Sequence, residues 1–336
     1  MAPTPLPETM RSVVAPIPGG PEAAVIGSRP RPRPASGEVL VRVHASSVSR
    51  PDTIQRQGTY PAPPGASDAL GLEFAGTVVE MADDVEGWSV GDEVCALTIG
   101  GNADFCVVSA LHLLPIPQGL SMIEAASLPE NLCTVWDSLV RRGKVVGGEK
   151  ILVHGGSSGL GSMAIQLGRA LGASVAATAG TDEKTEFCRR LGAELAVNYR
   201  TEDFVREILS WSDNGGVDFI ADLVGADYMA RNLQSLALDG RLSVLATLGD
   251  AVAEVDLRIL LKRRLTISAA TLKARTLHQK AEVIAGVRQD VWPLLESGKI
   301  VPVVDSVYDI TAVAEAHARL ESSQHMGKIV LDLGVG

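Results

Sequence analysis

The chain has 336 residues, too many for one small core and suited to two domains. Hydrophobic residues make up 46% and charged residues 21%, which argues against wholesale disorder, and aromatics at 4% leave the core to Val, Leu, Ile and Ala. A formal net charge of −10 counts against a general nucleic-acid binder, since an acidic surface repels phosphate backbones, although a local basic groove stays open.

Residues 1–9 read as a loose extension, with the fold beginning at Met10. The run Val39 to Ala45 alternates as a half-buried strand should, Phe74 to Glu80 reads as another, and Val90 to Val94 turns into a third. Tyr60-Pro61-Ala62-Pro63-Pro64-Gly65 is a loop, because so many prolines fit neither helix nor central strand. Many short strands with Gly and Pro between them predict a small barrel over 1–126.

From residue 127 the texture becomes strand and helix in turn. Strands are expected at Lys150 to His154, Ser174 to Thr178, Val217 to Ala221 and Arg241 to Leu245, with helices at Leu160 to Leu171 and Asp182 to Leu191. This rhythm predicts a parallel sheet covered on both faces over 127–267. It weakens afterwards and ends in a strand at Gly327-Lys328-Ile329-Val330-Leu331, so 268–336 reads as the return of the first domain. The expected fold is α/β, a barrel with an inserted doubly wound domain.

The four cysteines, Cys95, Cys106, Cys133 and Cys188, form no C-x-x-C pair and read as reduced, buried thiols. The six histidines form no cluster either, and His44, His154 and His317 read as structural, so no metal site is expected. No apolar run reaches the roughly 20 residues that a bilayer span needs, and the proline-rich N-terminus lacks a signal peptide's apolar segment. The expectation is a cytoplasmic protein with no membrane partner.

The segment His154-Gly155-Gly156-Ser157-Ser158-Gly159-Leu160-Gly161 sits between a strand and a helix, where a first β-α turn binds pyrophosphate. Ser158 takes the place of the middle glycine of G-x-G-x-x-G, so the context carries the reading. Gly156, Ser158, Gly159, Leu160 and Gly161 are the candidate phosphate contacts. At the end of the second strand, where an NAD site places a carboxylate for the ribose, stands Thr178-Ala179-Gly180-Thr181. Gly180 and Thr181 leave room for a 2′-phosphate, and Lys184, Tyr199 and Arg200 can reach it, although Lys184 also suits a plain solvated face. Asp182 counts the other way. NADPH is the expected cofactor, with Leu223 and Gly249 at later strand ends as further contacts.

The run Ser49-Arg50-Pro51-Asp52-Thr53-Ile54-Gln55-Arg56-Gln57-Gly58-Thr59-Tyr60 with PAPPGASDALGLEFAG, the GGSSGLG turn, Asn198-Tyr199, Leu238-Asp239-Gly240-Arg241 and the terminal GKIVL occur in an order that resembles a known family. It is that of the zinc-free, zeta-crystallin-like quinone oxidoreductases of the medium-chain dehydrogenase/reductase superfamily, nearest the tumour-suppressor-inducible type. The likeness runs from about Met10 to Leu331. It implies a GroES-like barrel, an inserted Rossmann domain, NADPH, and a homodimer or homotetramer. Zinc-dependent relatives place a cysteine where Ser49 falls and a histidine where Leu72 falls, so no catalytic zinc is expected. The family usually has asparagine at the Ser49 position, lining the substrate or nicotinamide site.

The implied function is NADPH-dependent reduction of a quinone, with the nicotinamide near Thr134 and beside Ala270-Thr271-Leu272, Lys328 as a further cofactor contact, and Tyr60 and Ser49 bordering the acceptor. The Tyr60 hydroxyl can bond the acceptor oxygen, or the side chain can merely pack; Thr134 equally suits a helix start. Glu73, next to the lost zinc position, is expected in an internal salt bridge. The second reading is a reductase of enones or enoyl thioesters, for which Arg50 and Arg56 are a thin basic patch. The third is a non-enzymatic crystallin-like or RNA-binding role. Oligomers are expected through an edge strand near Leu242 to Leu245.

Overall fold

The computed structural model describes residues 5–62 and 65–334, so the start of the expected loose extension and Pro63-Pro64 of the proline loop lie outside the described residues. The chain begins with strands: β1 (Thr9–Val14), β2 (Val25–Pro30), β3 (Glu38–Val48), then helix α1 (Arg50–Arg56), and β4 (Glu73–Met81), β5 (Glu93–Leu97), β6 (Phe105–Ser109) and β7 (Leu113–Pro115). Helices α2 (Met122–Ala125) and α3 (Pro129–Trp136) lead into β8 (Lys150–Val153), α4 (Gly159–Ala170), β9 (Ser174–Ala179), α5 (Asp182–Leu191) and β10 (Leu195–Asn198). The alternation continues through α6 (Phe204–Trp211), β11 (Val217–Asp222), α7 (Ala226–Ser235), β12 (Leu236–Val244), α8 (Leu257–Arg263) and β13 (Thr266–Ala269). After α9 (Leu277–Asp290) and α10 (Trp292–Glu296) come β14 (Val304–Asp309), α11 (Val313–Glu321) and β15 (Lys328–Asp332).

The described residues form two compact units: one within Met1–Glu130, Lys273–Arg288 and Pro302–Gly336, the other within Asn131–Leu272 and Gln289–Val301. The first holds a sheet in the order β14-β15-β3-β4-β5-β7, with β6 also paired to β3, antiparallel except for β14 on β15. Alternation in β3 explains its two faces. Val39, Val41 and Val43 enter the main core with Phe74, Val78 and Val94, whereas Leu40 joins Met10, Ala103 and Phe105 in a smaller cluster. That smaller cluster corrects one expectation. Leu6 packs on it and Arg31 bonds the carbonyls of Pro7 and Glu8, so the extension is anchored from Leu6, and Thr9 already belongs to β1.

The second unit holds a parallel sheet in the order β10-β9-β8-β11-β12-β13. Strand order reverses at β8, which lies between β9 and β11, and in such sheets ligands bind outside the carboxyl ends of the strands at that point. Apolar strands such as Ile151-Leu152-Val153 are buried on both faces, as a sheet covered by helices requires. Strand β12 starts at Leu236, five residues before the expected Arg241, and is paired on both sides. The segment near Leu242 is therefore no edge; the edge on that side of the sheet is β13. Residues 289–301 join this unit because the Gln166 side chain bonds both the N–H and the carbonyl of Val301, and Trp136 donates to Asp290.

Candidate functional site

At the carboxyl end of β8 the chain enters the glycine turn with Gly155 at φ +62°. A Cβ on Gly161 would lie 2.2 Å from the Gly155 carbonyl oxygen, so the helix start is packed onto the turn and accepts glycine alone. Ser158, which breaks the glycine pattern, is the N-cap of α4, its hydroxyl accepting the N–H of Gly161 at 3.0 Å. The N–H groups of Gly159 and Leu160 have no acceptor among the described residues. Two free amides at the N-terminus of a 12-residue helix suit a pyrophosphate.

A second cluster gathers at the ends of β9 and β10. A Cβ on Gly180 would meet the Tyr199 hydroxyl at 2.6 Å, with the Arg200 guanidinium at 3.5 Å, so both side chains lie over this glycine. Thr181 caps α5 by accepting the N–H of Lys184. Asp182, which counted against a 2′-phosphate, has its Oδ1 held at 2.7 Å by the side-chain amide of Asn198. Gly180, Thr181, Lys184 and Tyr199 are thus brought together, and no carboxylate ends β9.

Sequence reasoning missed the buried network beneath these ends. Burial pushes His154 down to about 4, so its ring is neutral. Nε2 donates to Asn232 Oδ1 at 2.7 Å and Nδ1 accepts from Thr178 at 2.9 Å. The Asn232 amide in turn donates to Asp222, whose carboxylate also takes the N–H groups of Val224 and Gly225. Burial raises the Asp222 pKa, offset by those backbone N–H groups. The ends of β8, β9 and β11 are locked together, and the turn that carries Leu223 is fixed with them. Thr134 is half-buried on α3, Gly249 is exposed beside Asp227, and Ala270-Thr271-Leu272 follow β13.

In the other unit, Ser49 stands at the N-cap position of α1. The Ser49 N–H donates to Asp52 Oδ2 at 2.8 Å, as in a capping box, and the Ser49 hydroxyl accepts from the Lys328 ammonium at 2.7 Å. Lys328 also pairs with Glu73 Oε1 at 2.7 Å, the internal salt bridge expected of Glu73. Glu73 is satisfied further by the Ser47 hydroxyl and by the Glu130 N–H. Burial disfavours the charge on Lys328, but Glu73, Glu130 and Asp52 outweigh it and hold the ammonium above its usual pKa. Asp52, which takes the N–H groups of Ser49 and Gly71, is pushed up to about 6 by burial.

Tyr60 lies with its ring under the Lys273 ammonium, 3.8 Å from the centroid, while Lys273 donates to Gln55 Oε1 and to the Tyr60 carbonyl. Its hydroxyl makes no hydrogen bond among the described residues. Arg56, half of the thin basic patch, is 0% exposed and paired with Glu321, so it cannot meet a thioester's phosphates. All four cysteines are buried, and none of them forms a disulfide.

Two family models match: the alcohol dehydrogenase GroES-like domain at residues 35–134 and the zinc-binding dehydrogenase family at 191–331. The chain is 30% identical over 317 residues to the quinone oxidoreductase of Rattus norvegicus, covering 93% of this chain and 94% of that one. It is also 31% identical over 317 residues to a phenolphthiocerol/phthiocerol polyketide synthase subunit of Mycobacterium tuberculosis, of which it spans only 14%. Among solved structures, the Escherichia coli quinone oxidoreductase complexed with NADPH has a TM-score of 0.86 at 28% identity, covering 96% of this chain and 99% of that one. An NAD-dependent alcohol dehydrogenase has a TM-score of 0.86 at 29% identity, covering 97% and 100%.

The zinc of the second family name meets a poor donor set here. Position 72 is leucine, the Ser49 oxygen is taken by an ammonium, and among the described residues no three His, Cys, Asp or Glu side chains group to hold a metal. No helix among the described residues is long and apolar enough to cross a membrane. With a GroES-like domain, a doubly wound sheet that accepts a nicotinamide dinucleotide, and a quinone oxidoreductase matching along nearly its whole length, this chain belongs to the medium-chain dehydrogenase/reductase superfamily and is an oxidoreductase.

Proposed function

We propose that the protein reduces quinones with NADPH and without zinc. The observation that carries the cofactor choice is the cluster over Gly180, where Tyr199 and Arg200 replace the carboxylate of an NAD site. Arg200 and Lys184 supply positive charge for a 2′-phosphate, Asp182 is occupied by Asn198, and the free amides of Gly159 and Leu160 take the pyrophosphate.

When bound, the reduced nicotinamide supplies an electron pair with one hydrogen. The rest falls to the chain. The His154-Asn232-Asp222 network fixes the turn carrying Leu223, so the cofactor's seat is set before it binds. Tyr60, held by Lys273, gives the acceptor an aromatic face and a free hydroxyl. Ser49 borders the same acceptor. A quinone accepts electrons readily, which is why no metal is needed to polarise it.

Reduction of enones or enoyl thioesters is the second reading, favoured by the polyketide synthase relative. Initial rates with matched quinone and enone acceptors at saturating NADPH separate the two; faster enone turnover would reject the quinone reading. We also propose a homodimer formed along β13, an edge strand on which Ile267 is 38% exposed. Light scattering on Ile267→Glu should give a smaller particle than the parent protein. An unchanged mass would place the interface elsewhere.

A further inference from the structure

A buried lysine bonded to a serine hydroxyl is unusual enough to need a reason, since burying an ammonium is costly unless it is paired. Glu73 pairs Lys328, but Glu73 does not account for Ser49. The Lys328 side chain is 7% exposed and its Nζ stands 2.7 Å from both Glu73 Oε1 and Ser49 Oγ. An ammonium has only hydrogens to offer, so the Ser49 oxygen is the acceptor and its own hydrogen is left over. That hydrogen has no acceptor among the described residues, since Asp52 binds the Ser49 backbone N–H and not the hydroxyl. A hydroxyl whose oxygen already receives a charged donor is a stronger donor itself.

Resting on the reading that Ser49 borders the acceptor, we propose that the Lys328-polarised Ser49 hydroxyl is the hydrogen-bond and proton donor to the acceptor oxygen. It stands where zinc-dependent relatives place a metal ligand, and it supplies positive polarisation there by a different route. Reduction puts two electrons and one hydrogen on the acceptor, taken from the reduced nicotinamide, which is left oxidised. The second hydrogen comes from the chain. The Ser49 O–H bond breaks as the new O–H bond forms on the acceptor; Lys328 returns a proton to Ser49 and regains one from solvent. Glu130, 13% exposed with Oε2 4.0 Å from Nζ, marks the solvent side of the cluster. Glu73, held by Ser47 and the Glu130 N–H, is the positioning residue that aims Lys328.

The test uses 4-nitrophenol as an oxygen-centred probe, titrated on the purified protein with no cofactor and no electron acceptor. A phenol at this site should ionise about one pH unit below the free phenol, read from nitrophenolate absorbance. Ser49→Ala should abolish the shift and Ser49→Thr, which keeps the hydroxyl, should retain it. In turnover with any acceptor that the enzyme reduces, Ser49→Ala should lose roughly 10²-fold or more in kcat along with the solvent deuterium isotope effect. Ser49→Asn should keep part of the phenol shift but not the isotope effect, because an amide donates a hydrogen bond without giving up a proton. Lys328→Met leaves Glu73 unpaired and threatens folding, so the Ser49 series decides. No shift in the parent protein, or the same shift in Ser49→Ala, overturns the proposal. Because the phenol titration involves neither NADPH nor quinone, its failure is distinct from a failure to turn quinones over.

Discussion

Placing a carboxylate at the end of β9 should convert the cofactor preference. Gly180 has no left-handed φ, so aspartate or alanine fits its backbone, but any Cβ meets the Tyr199 hydroxyl at 2.6 Å and the ring must swing aside. Gly180→Ala therefore measures the steric cost alone, and Gly180→Asp adds a charge. A carboxylate about 6 Å from a phosphate charge, at an effective dielectric of about 40, is repelled by about 1.4 kcal/mol. The doubly charged 2′-phosphate roughly doubles this and salt screening returns part of it, leaving about 1–3 kcal/mol. The ratio of kcat/KM for NADPH to that for NADH should then fall roughly ten- to hundredfold from Gly180→Ala to Gly180→Asp. NADPH fluorescence titration should show the same ratio in Kd. If the two variants discriminate equally, no 2′-phosphate sits over Gly180 and the reasoning fails.

Gly161→Ala forces a Cβ to within 2.2 Å of the Gly155 carbonyl, so it should lower stability by about 1–3 kcal/mol and abolish the stabilisation given by NADPH in thermal melts. His154 is held down at about 4 against an ordinary 6.5, so the unfolded chain binds its proton first, and stability is lost as pH falls from 6.5 toward 4. His317, held down to about 3 by burial and Arg56, acts in the same direction. Asp52, raised from 3.8 to about 6, opposes them, since its contribution fades as pH rises through that window. Asp222, also raised by burial, acts with Asp52, while His44 and His112, lowered by burial, act with His154 and His317. The four histidines outweigh the two carboxyls, so urea midpoints should rise from pH 4 to 6.5, and His154→Gln should flatten that rise by up to about 3 kcal/mol.

Local signals made the frame legible from sequence. Alternation marked β3, and the apolar runs with glycine stops marked β8, β9 and α5 to within a residue or two. Ser158 looked like a flaw in the glycine motif until its capping role was visible, although serine before a helix is itself the expected cap. What stayed hidden depends on partners that topology alone brings together. Ser49 and Lys328 are 279 residues apart, and Tyr60 lies under a lysine 213 positions along the chain. No periodicity encodes such meetings. The same holds for Arg56, which reads as a surface charge until α11 buries it with Glu321, and for Asp222, whose partner Asn232 looks like any polar residue on α7. Strand β12 read as an edge because β13 is only four residues long and lacks a strong pattern of its own.

The most direct test is NADPH oxidation, with NADH beside it, by chelator-treated protein against a single para-quinone. The account predicts turnover that survives the chelator, prefers NADPH, and yields one hydroquinone for each NADPH consumed. Loss of activity on chelation with recovery by zinc, or a clear preference for NADH, would contradict it.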